Sequence, residues 1–162
     1  MAVKEILKIG NDTLRKTSHP VEKFNLRLWL LLRDMADTMY KAEGVGLAGP
    51  QVGVLRRVVV IDLDEDGMLE LINPEIIESE GEEIGVEGCL SVPGRRGTVK
   101  RPTKVVVRAL DKKGREIELT AEGFLARAVC HELDHLDGTV YVDKMIEDVT
   151  DQYNQEYHQE EN

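Results

Sequence analysis

The first strong pattern along the chain predicts an amphipathic helix over residues 25–43. Apolar residues recur there every three or four positions, which places them on one face of a helix. They are Leu28, Leu31, Leu32, Met35 and Met39. Gly44 follows them, and glycine is common just after the last turn of a helix. The pattern therefore predicts a helix with one buried face.

Between residues 57 and 119 the pattern changes to short runs typical of β-strands. The predicted strands are 58–63, 69–72, 98–100, 105–110 and 116–119. Dipeptides that favour turns, such as Asp-Gly, Asn-Pro and Pro-Gly, lie between these runs. Since the last two runs flank Asp111-Lys-Lys-Gly114, they are predicted to form a hairpin.

A second helix is predicted to begin near Thr120, which can act as its N-cap, and to end at Gly138. Glu122 would then lie in the first turn, where a carboxylate interacts well with the helix dipole. One helix between hairpins, without alternating strands and helices, indicates an α+β fold with mainly antiparallel β-sheets. We expect these sheets to pack around this central second helix.

Length and composition are typical of a single globular domain. The chain has 162 residues, of which 41% are hydrophobic and 32% are charged. No apolar run approaches the roughly 20 residues that a membrane-spanning helix needs. Glu5 and Lys8 interrupt the N-terminal region, where a signal peptide needs an unbroken apolar stretch. We therefore expect a cytoplasmic protein with no membrane partner.

The charge distribution argues against a nucleic-acid partner and singles out the C-terminus. The formal net charge is −10, so the surface repels a phosphate backbone at long range. From Asp143 onward, seven acidic residues accompany a single lysine. We therefore divide the chain into a folded domain over residues 1–147 and an acidic, flexible tail over residues 148–162.

The strongest candidate chemistry is the run His131-Glu-Leu-Asp-His135 in the second predicted helix. Residues four apart share one helical face, so His131 and His135 can bind one metal ion together. Glu132 can approach a water molecule on that metal without being a ligand. Because a metal that catalyses hydrolysis usually has three protein ligands and one open position, a third ligand is required.

Several residues are candidates for the third ligand. Tyr141 stands where one class of zinc proteases has a third histidine, which excludes that class. Glu147 and Glu156 would serve a zincin-type endopeptidase of another class. Cys89 could supply a thiolate, although a lone cysteine is more often a small buried hydrophobic residue. The helix motif alone also fits a noncatalytic binding domain that a metal stabilises.

Three segments together carry a resemblance to a known family. They are Gly44-Val-Gly-Leu-Ala-Gly-Pro-Gln51, Glu87-Gly-Cys-Leu-Ser91 and Cys130-His-Glu-Leu-Asp-His-Leu-Asp-Gly138. With these motifs the chain resembles the bacterial peptide deformylases over nearly its whole length, apart from the acidic tail. The resemblance implies that the domain over residues 1–147 is catalytic and removes the N-terminal formyl group from formyl-methionine of newly synthesised polypeptides. It also implies that the enzyme works close to the ribosome.

The resemblance implies a metal site as well. Cys89, His131 and His135 would ligate one divalent ion, with water in the fourth position. Ferrous iron is the expected ion in the cell, and zinc, nickel or cobalt could replace it. A metal-bound hydroxide would attack the formyl carbonyl, while Glu132 would act as general acid and base.

Further roles follow from the same resemblance. The side-chain amide of Gln51 and the backbone N–H of Leu90 would stabilise the charge on the formyl oxygen. Gly46 would let a peptide lie against the backbone and add as a strand. Other residues are candidates for the wall of a methionine pocket: Val45, Glu87, Phe124, Arg127 and Ala128. For Phe124 and Ala128 a role in the core is an alternative, and for Arg127 an ion pair with Glu87.

The chain departs from the family pattern at two positions. Gly49 stands where the family usually has alanine, which suggests a looser loop before Gln51. Cys130 stands where glutamine is commoner, directly before the first histidine. Because one residue corresponds to about 100° of helix rotation, we expect Cys130 to face away from the metal and to be buried and inert.

Overall fold

The computed structural model describes residues 2–64 and 67–154. The long helices are α1 (Leu26–Lys41) and α2 (Gly123–Leu136). The strands are β1 (Gly46–Ala48), β2 (Val58–Asp62), β3 (Met68–Glu80), β4 (Glu83–Cys89), β5 (Val92–Arg101), β6 (Lys104–Leu110), β7 (Glu116–Glu122) and β8 (Glu147–Asp148). Short 3₁₀ turns span Asp12–Arg15, Gly49–Val52 and Tyr141–Asp143.

The strands form two sheets. A five-stranded sheet has the order β1-β2-β3-β6-β7, and a three-stranded sheet has the order β4-β5-β8. The pairings between these strands are antiparallel. The predicted α+β class with mainly antiparallel sheets is therefore confirmed.

The five-stranded sheet packs a helix against each of its faces. In β2, Val59 and Ile61 pack in the cluster that contains α2, whereas Val58 and Val60 pack in the cluster that contains α1. Successive side chains of a strand point to opposite faces, so this strand is buried on both sides. The sheet thereby fixes the position of α2.

Helix α2 also contacts the three-stranded sheet. The guanidinium of Arg127 donates hydrogen bonds to the backbone carbonyls of Glu83 in β4 and Val99 in β5, at 2.9 Å each. Because α2 touches both sheets, it occupies the central position that the sequence predicted.

The first predicted helix is confirmed, whereas the predicted start of the second helix is wrong. Helix α1 begins after Asn25, whose side chain accepts a hydrogen bond from the Leu28 amide. Thr120 and Glu122, predicted as the cap and first turn of the second helix, instead lie in β7 and pair with β6. The chain turns into α2 at Gly123, which has a φ of +59° that glycine adopts readily. Strand pairing outweighed the local capping preference.

Within the described residues no helix is long and apolar enough to cross a membrane.

Strand β3 is much longer than the predicted run 69–72. Asn73-Pro74 looks like a turn in the sequence, but the strand continues through it to Glu80. The pairing of β3 with β6 shifts register between Ile72 and Glu75, which accommodates the proline. The Asn73 side chain then bonds the backbone N–H and C=O of Val21. The irregularity therefore anchors a neighbouring segment.

The acidic tail begins inside a paired strand. Asp148 pairs with Gly97 of β5, and residues 150–154 form a helical turn. Residues 155–162 lie outside the described residues. The predicted flexibility of the tail over 148–162 stays a prediction, and so does the predicted catalytic domain over 1–147.

Candidate metal centre

Three side chains with metal-binding atoms meet at the centre of the molecule. His131 and His135 lie one turn apart on α2, and Cys89 ends strand β4 after a register shift. Cys89 Sγ lies 3.4 Å from His135 Nε2. The three ligand atoms all lie within 4.8 Å of one another. The structure therefore brings the two sequence motifs together.

This arrangement fits a divalent metal ion. Ligands about 2.0–2.3 Å from one tetrahedral ion lie roughly 3.5 Å apart, which matches the observed separation of Cys89 and His135. One thiolate and two imidazoles suit iron, zinc, nickel or cobalt. Three protein ligands leave a coordination position for water or substrate, which is the pattern of a catalytic site.

Glu87 orients His131 through a contact with its Nδ1 atom. One carboxylate oxygen of Glu87 lies 2.9 Å from His131 Nδ1, which directs Nε2 towards Cys89 and His135. The guanidinium of Arg101 donates to both Glu87 oxygens at 2.9 Å, and that of Arg127 donates to one at 2.6 Å. The predicted alternative for Arg127, an ion pair with Glu87, is what the structure shows.

Burial and hydrogen bonding have opposite effects on the pKa values of Glu87 and His131. Burial raises the pKa of Glu87, but its hydrogen bonds with Arg101 and His131 outweigh burial and hold that pKa at about 2. Burial lowers the pKa of His131, yet hydrogen bonds with Cys89 and Glu87 raise it to about 10. The hydrogen bonds therefore keep Glu87 ionised beside His131.

Glu132 is buried beside the same cluster and lines the cavity next to it. It is 5% exposed, and among the described residues its Oε1 has no hydrogen-bond partner. Burial raises its pKa to about 7; the charge of His131 opposes this rise and Glu87 adds to it. A carboxylate of this kind can both accept and return a proton near neutral pH. Any side chain at Gly46 would collide with its Oε2.

Gln51 reaches the cluster from the other side. Its side-chain oxygen accepts a hydrogen bond from the Ala48 amide at 2.9 Å. This leaves the NH₂ group to donate to Ser91 Oγ at 3.1 Å and to approach Cys89 Sγ at 3.5 Å. The amide is therefore fixed with its donors towards the metal-binding atoms.

The structure does not favour the looser loop suggested for Gly49. Gly49 and Gln51 are buried. A Cβ at Gly49 would lie only 2.7 Å from the backbone oxygens of Val54 and Arg56. Here the missing side chain permits a close backbone approach, so glycine tightens this segment.

A cavity of about 550 Å³ opens beside the cluster. All six predicted substrate-binding residues line it: Val45, Gly46, Glu87, Phe124, Arg127 and Ala128. Phe124 and Val45 are 60% and 43% exposed, which argues against the core alternative for Phe124. Ala128 packs in the core cluster and also lines the cavity, so its predicted contact with substrate stays a prediction. Leu90, the residue after Cys89, lines the cavity too.

The remaining predictions from the helix motif can also be placed. Cys130 is buried in the core on the sheet side of α2 and forms no disulfide, as expected. Glu147, an alternative third ligand, is exposed in β8, and Glu156 lies outside the described residues. The sequence analysis missed Arg101, Ser91, Arg96 and Tyr153. Ser91 lies two residues after Cys89 in a motif already singled out, but only the structure shows its hydrogen bond with Gln51. Arg96 and Arg101 reach the site through the pairing of β4 with β5, and Tyr153 through the pairing of β5 with β8, so no local pattern identifies these three.

Comparison with known proteins agrees with this site. The family model described as polypeptide deformylase matches residues 3–151. The peptide deformylase of Caldicellulosiruptor bescii is 59% identical over 152 residues, which cover 94% of this chain and 91% of that protein. That of Thermoanaerobacter pseudethanolicus is 56% identical, covering 90% and 91% of the two chains.

Solved structures show the same fold. A peptide deformylase from Legionella pneumophila has a TM-score of 0.87 at 49% identity, covering 89% of this chain and 86% of that one. A peptide deformylase from Ehrlichia chaffeensis, in complex with actinonin, has a TM-score of 0.87 at 37% identity and covers 90% of both chains. The fold, the site and the sequence agree, and the chain belongs to the polypeptide deformylase family.

Proposed function

We propose that this chain removes the formyl group from the N-terminal formyl-methionine of newly synthesised polypeptides. The observation that carries the proposal is the convergence of Cys89, His131 and His135 with the buried carboxylate of Glu132 beside one open cavity. A divalent ion held by those three ligands supplies a Lewis acid and lowers the pKa of a water molecule. We propose ferrous iron as the ion in the cell, with zinc, nickel or cobalt able to replace it.

Glu132 moves the proton in this reaction. Its carboxylate takes a proton from the water that attacks the formyl carbon and returns it to the amine nitrogen that leaves. Burial raises the pKa of this carboxyl group above its usual value, so that it can hold the proton between the two transfers.

Two donors stabilise the charge that develops on the formyl oxygen. The NH₂ group of Gln51 is held near Cys89 by the hydrogen bond between its carbonyl and Ala48. The backbone N–H of Leu90, directly after Cys89, is the second proposed donor. Donors that are fixed before the reaction cost no reorganisation when the charge appears.

The edge of the five-stranded sheet offers a place for the substrate backbone. Strand β1 is one of the two edge strands of this sheet, and its Gly46 and the preceding Val45 line the cavity. A peptide can add to such an edge as a further strand. Phe124 and Ala128 would then contact the methionine side chain. Glu87 and Arg127 bond each other, so they support the wall of this pocket.

The proposed substrate also suggests where the enzyme works. Formyl-methionine stands at the start of nascent chains, so the proposal places the enzyme in the cytoplasm, transiently near the ribosome. With a net charge of −10, direct binding to nucleic acid is not proposed.

The function is tested by comparing formyl-Met-Ala-Ser with acetyl-Met-Ala-Ser under anaerobic conditions. We expect rapid release of formate and little release of acetate from a sample whose metal content is measured. Cleavage of internal peptide bonds instead would favour the zincin-type endopeptidase. No hydrolysis by a metal-loaded sample would favour the noncatalytic binding domain.

The proton-transfer role is tested separately with Glu132→Gln. This variant keeps the shape of the side chain but cannot accept a proton, so kcat should fall by about 10²–10⁴-fold with metal content unchanged. Full activity of the variant would refute the proposed role of Glu132.

A further inference from the structure

The C-terminal segment, residues 147–154, is fastened to strand β5 beside the cavity. The backbone N–H of Arg96 donates to Thr150 Oγ1 at 2.9 Å, and the Val149 amide donates to the Arg96 carbonyl at 3.0 Å. Arg95 forms an ion pair with Asp148 at 3.0 Å. These contacts supplement the pairing of β8 with β5 and hold the segment in one place.

This segment places an aromatic ring in the wall of the cavity. The guanidinium carbon of Arg96 lies 4.8 Å from the centroid of the Tyr153 ring, within the range of a cation–π interaction. Both residues line the cavity that contains the metal-binding atoms. The ring therefore limits where the Arg96 side chain can go.

Arg96 also lies close to the substrate path. A Cβ at Gly88 would lie 2.6 Å from Arg96 Nη1, so the guanidinium covers the residue that precedes Cys89. Gly88 in β4 and Gly46 in β1 line the same cavity from different sheets. A peptide that adds to the edge of β1 would run past Gly88, so the guanidinium would lie beside the residues that follow its formylated one.

Arg96 differs from the other arginines around the site. Arg101 and Arg127 are buried and bonded to Glu87. By contrast, no carboxylate among residues 2–64 and 67–154 forms an ion pair with Arg96, whose Nη1 donates to the Arg95 carbonyl at 2.8 Å. The remaining donors of its guanidinium are available to a ligand in the cavity.

We propose that Arg96 binds the residue that follows formyl-methionine, with a preference for an acidic side chain there, and that Tyr153 positions Arg96 for this contact. The inference rests on the proposed deformylase function and adds a specificity determinant to it. A protein with a net charge of −10 repels acidic substrates in general, and Arg96 offsets that repulsion locally. A solvent-accessible charge pair of this kind corresponds to a preference of about two- to fivefold.

The test compares three formylated tripeptide amides that differ only at the second residue: formyl-Met-Glu-Ser-NH₂, formyl-Met-Gln-Ser-NH₂ and formyl-Met-Lys-Ser-NH₂. For the unmodified chain, kcat/KM should be about two- to fivefold higher for Glu than for Gln, with Lys lowest. The difference should lie in KM, because the contact is distant from the reacting bond. Added salt should reduce it.

Variants then show which residues of the protein cause the preference among these peptides. Arg96→Gln should abolish it. Tyr153→Ala should abolish most of it through KM, with kcat retained, whereas Tyr153→Phe keeps the ring over the guanidinium and should restore it. Lys100→Gln is the matched control, because it removes the same charge from an exposed side chain of β5 that does not line the cavity.

Three results would overturn the inference. Equal kcat/KM for the three peptides would show that the unmodified chain has no preference. An equal loss in Lys100→Gln and Arg96→Gln would show that overall charge is responsible. A preference that survives Tyr153→Ala would remove the positioning role. Absence of formate from all three peptides would instead overturn the proposed function, so the two failures are distinguishable.

Discussion

The two sides of the cavity are held in place by different forces. On the side of β4 and β5, buried charges fix the geometry: Glu87 joins Arg101, Arg127 and His131 through hydrogen bonds of 2.6–2.9 Å. On the side of β1 and the following 3₁₀ turn, close packing against the backbone fixes the geometry instead. There Gly46 and Gly49 leave no room for a side chain.

The difference predicts how each side fails. A buried network of charges loses its function when one charge is removed, because the partners remain buried without compensation. A backbone packed at contact distance fails when volume is added. The charged side orients a metal ligand, whereas the packed side positions Glu132 and Gln51, so the two kinds of damage should have different readouts.

The largest effect is expected for Gly46→Ala on the packed side. The added methyl group would collide with Oε2 of Glu132, so the carboxylate must move away from the reacting atoms. We expect kcat to fall by about 10²–10⁴-fold, as for loss of a general base, with metal content unchanged. Steady-state kinetics and metal analysis on one sample measure both.

Gly44→Ala is the matched control for that variant. A Cβ there meets the end of the Leu90 side chain at 2.6 Å, and a flexible side chain can move aside. Its loss of kcat should be much smaller than that of Gly46→Ala. Equal losses would show that any added methyl group in this segment disturbs the site, against the specific collision with Glu132.

A smaller effect is expected for Glu87→Gln on the charged side. The variant keeps the size of the side chain but leaves Arg101 and Arg127 without their carboxylate. Metal affinity should fall about 10–100-fold, and the free energy of unfolding by up to about 3–5 kcal/mol. Metal titration and denaturant unfolding measure these changes. Glu82→Gln, which removes an exposed carboxylate 3.8 Å from Lys100, should change neither.

The smallest effect is expected for Gly49→Ala. Its Cβ would approach the Val54 and Arg56 carbonyls at 2.7 Å, so the backbone must shift slightly. The free energy of unfolding should fall by about 1–3 kcal/mol, measured by denaturant unfolding, with metal affinity unchanged. A gain in stability would show that the glycine does loosen this segment.

The sequence predicted the parts of the site that depend on local spacing. His131, Glu132 and His135 share one helix, so their relative positions follow from helical periodicity alone. Helix α1 was equally clear, because its apolar stripe faces a single sheet. The third ligand was different: spacing left Cys89, Glu147 and Glu156 open, and only the resemblance to a family singled out Cys89.

The parts that depend on long-range strand pairing were not predictable. Glu87 reaches Arg101 because β4 pairs with β5, and nothing local to either residue indicates that contact. The start of α2 was misplaced because pairing with β6 extends β7 through Thr120 and Glu122. Composition gave Tyr153 no role in the site, and pairing of Asp148 with Gly97 brings its segment to the cavity.

The central claim is that a metal held by Cys89, His131 and His135 is required to hydrolyse formyl-methionyl peptides. The most direct test removes metal from the anaerobically purified chain with a chelator and titrates ferrous iron back while formate release from formyl-Met-Ala-Ser is followed. We predict no release from the stripped chain and full recovery at one ion per chain, with no recovery in Cys89→Ala. Full activity of a chain shown to be metal-free, or equal recovery in Cys89→Ala, would contradict the account.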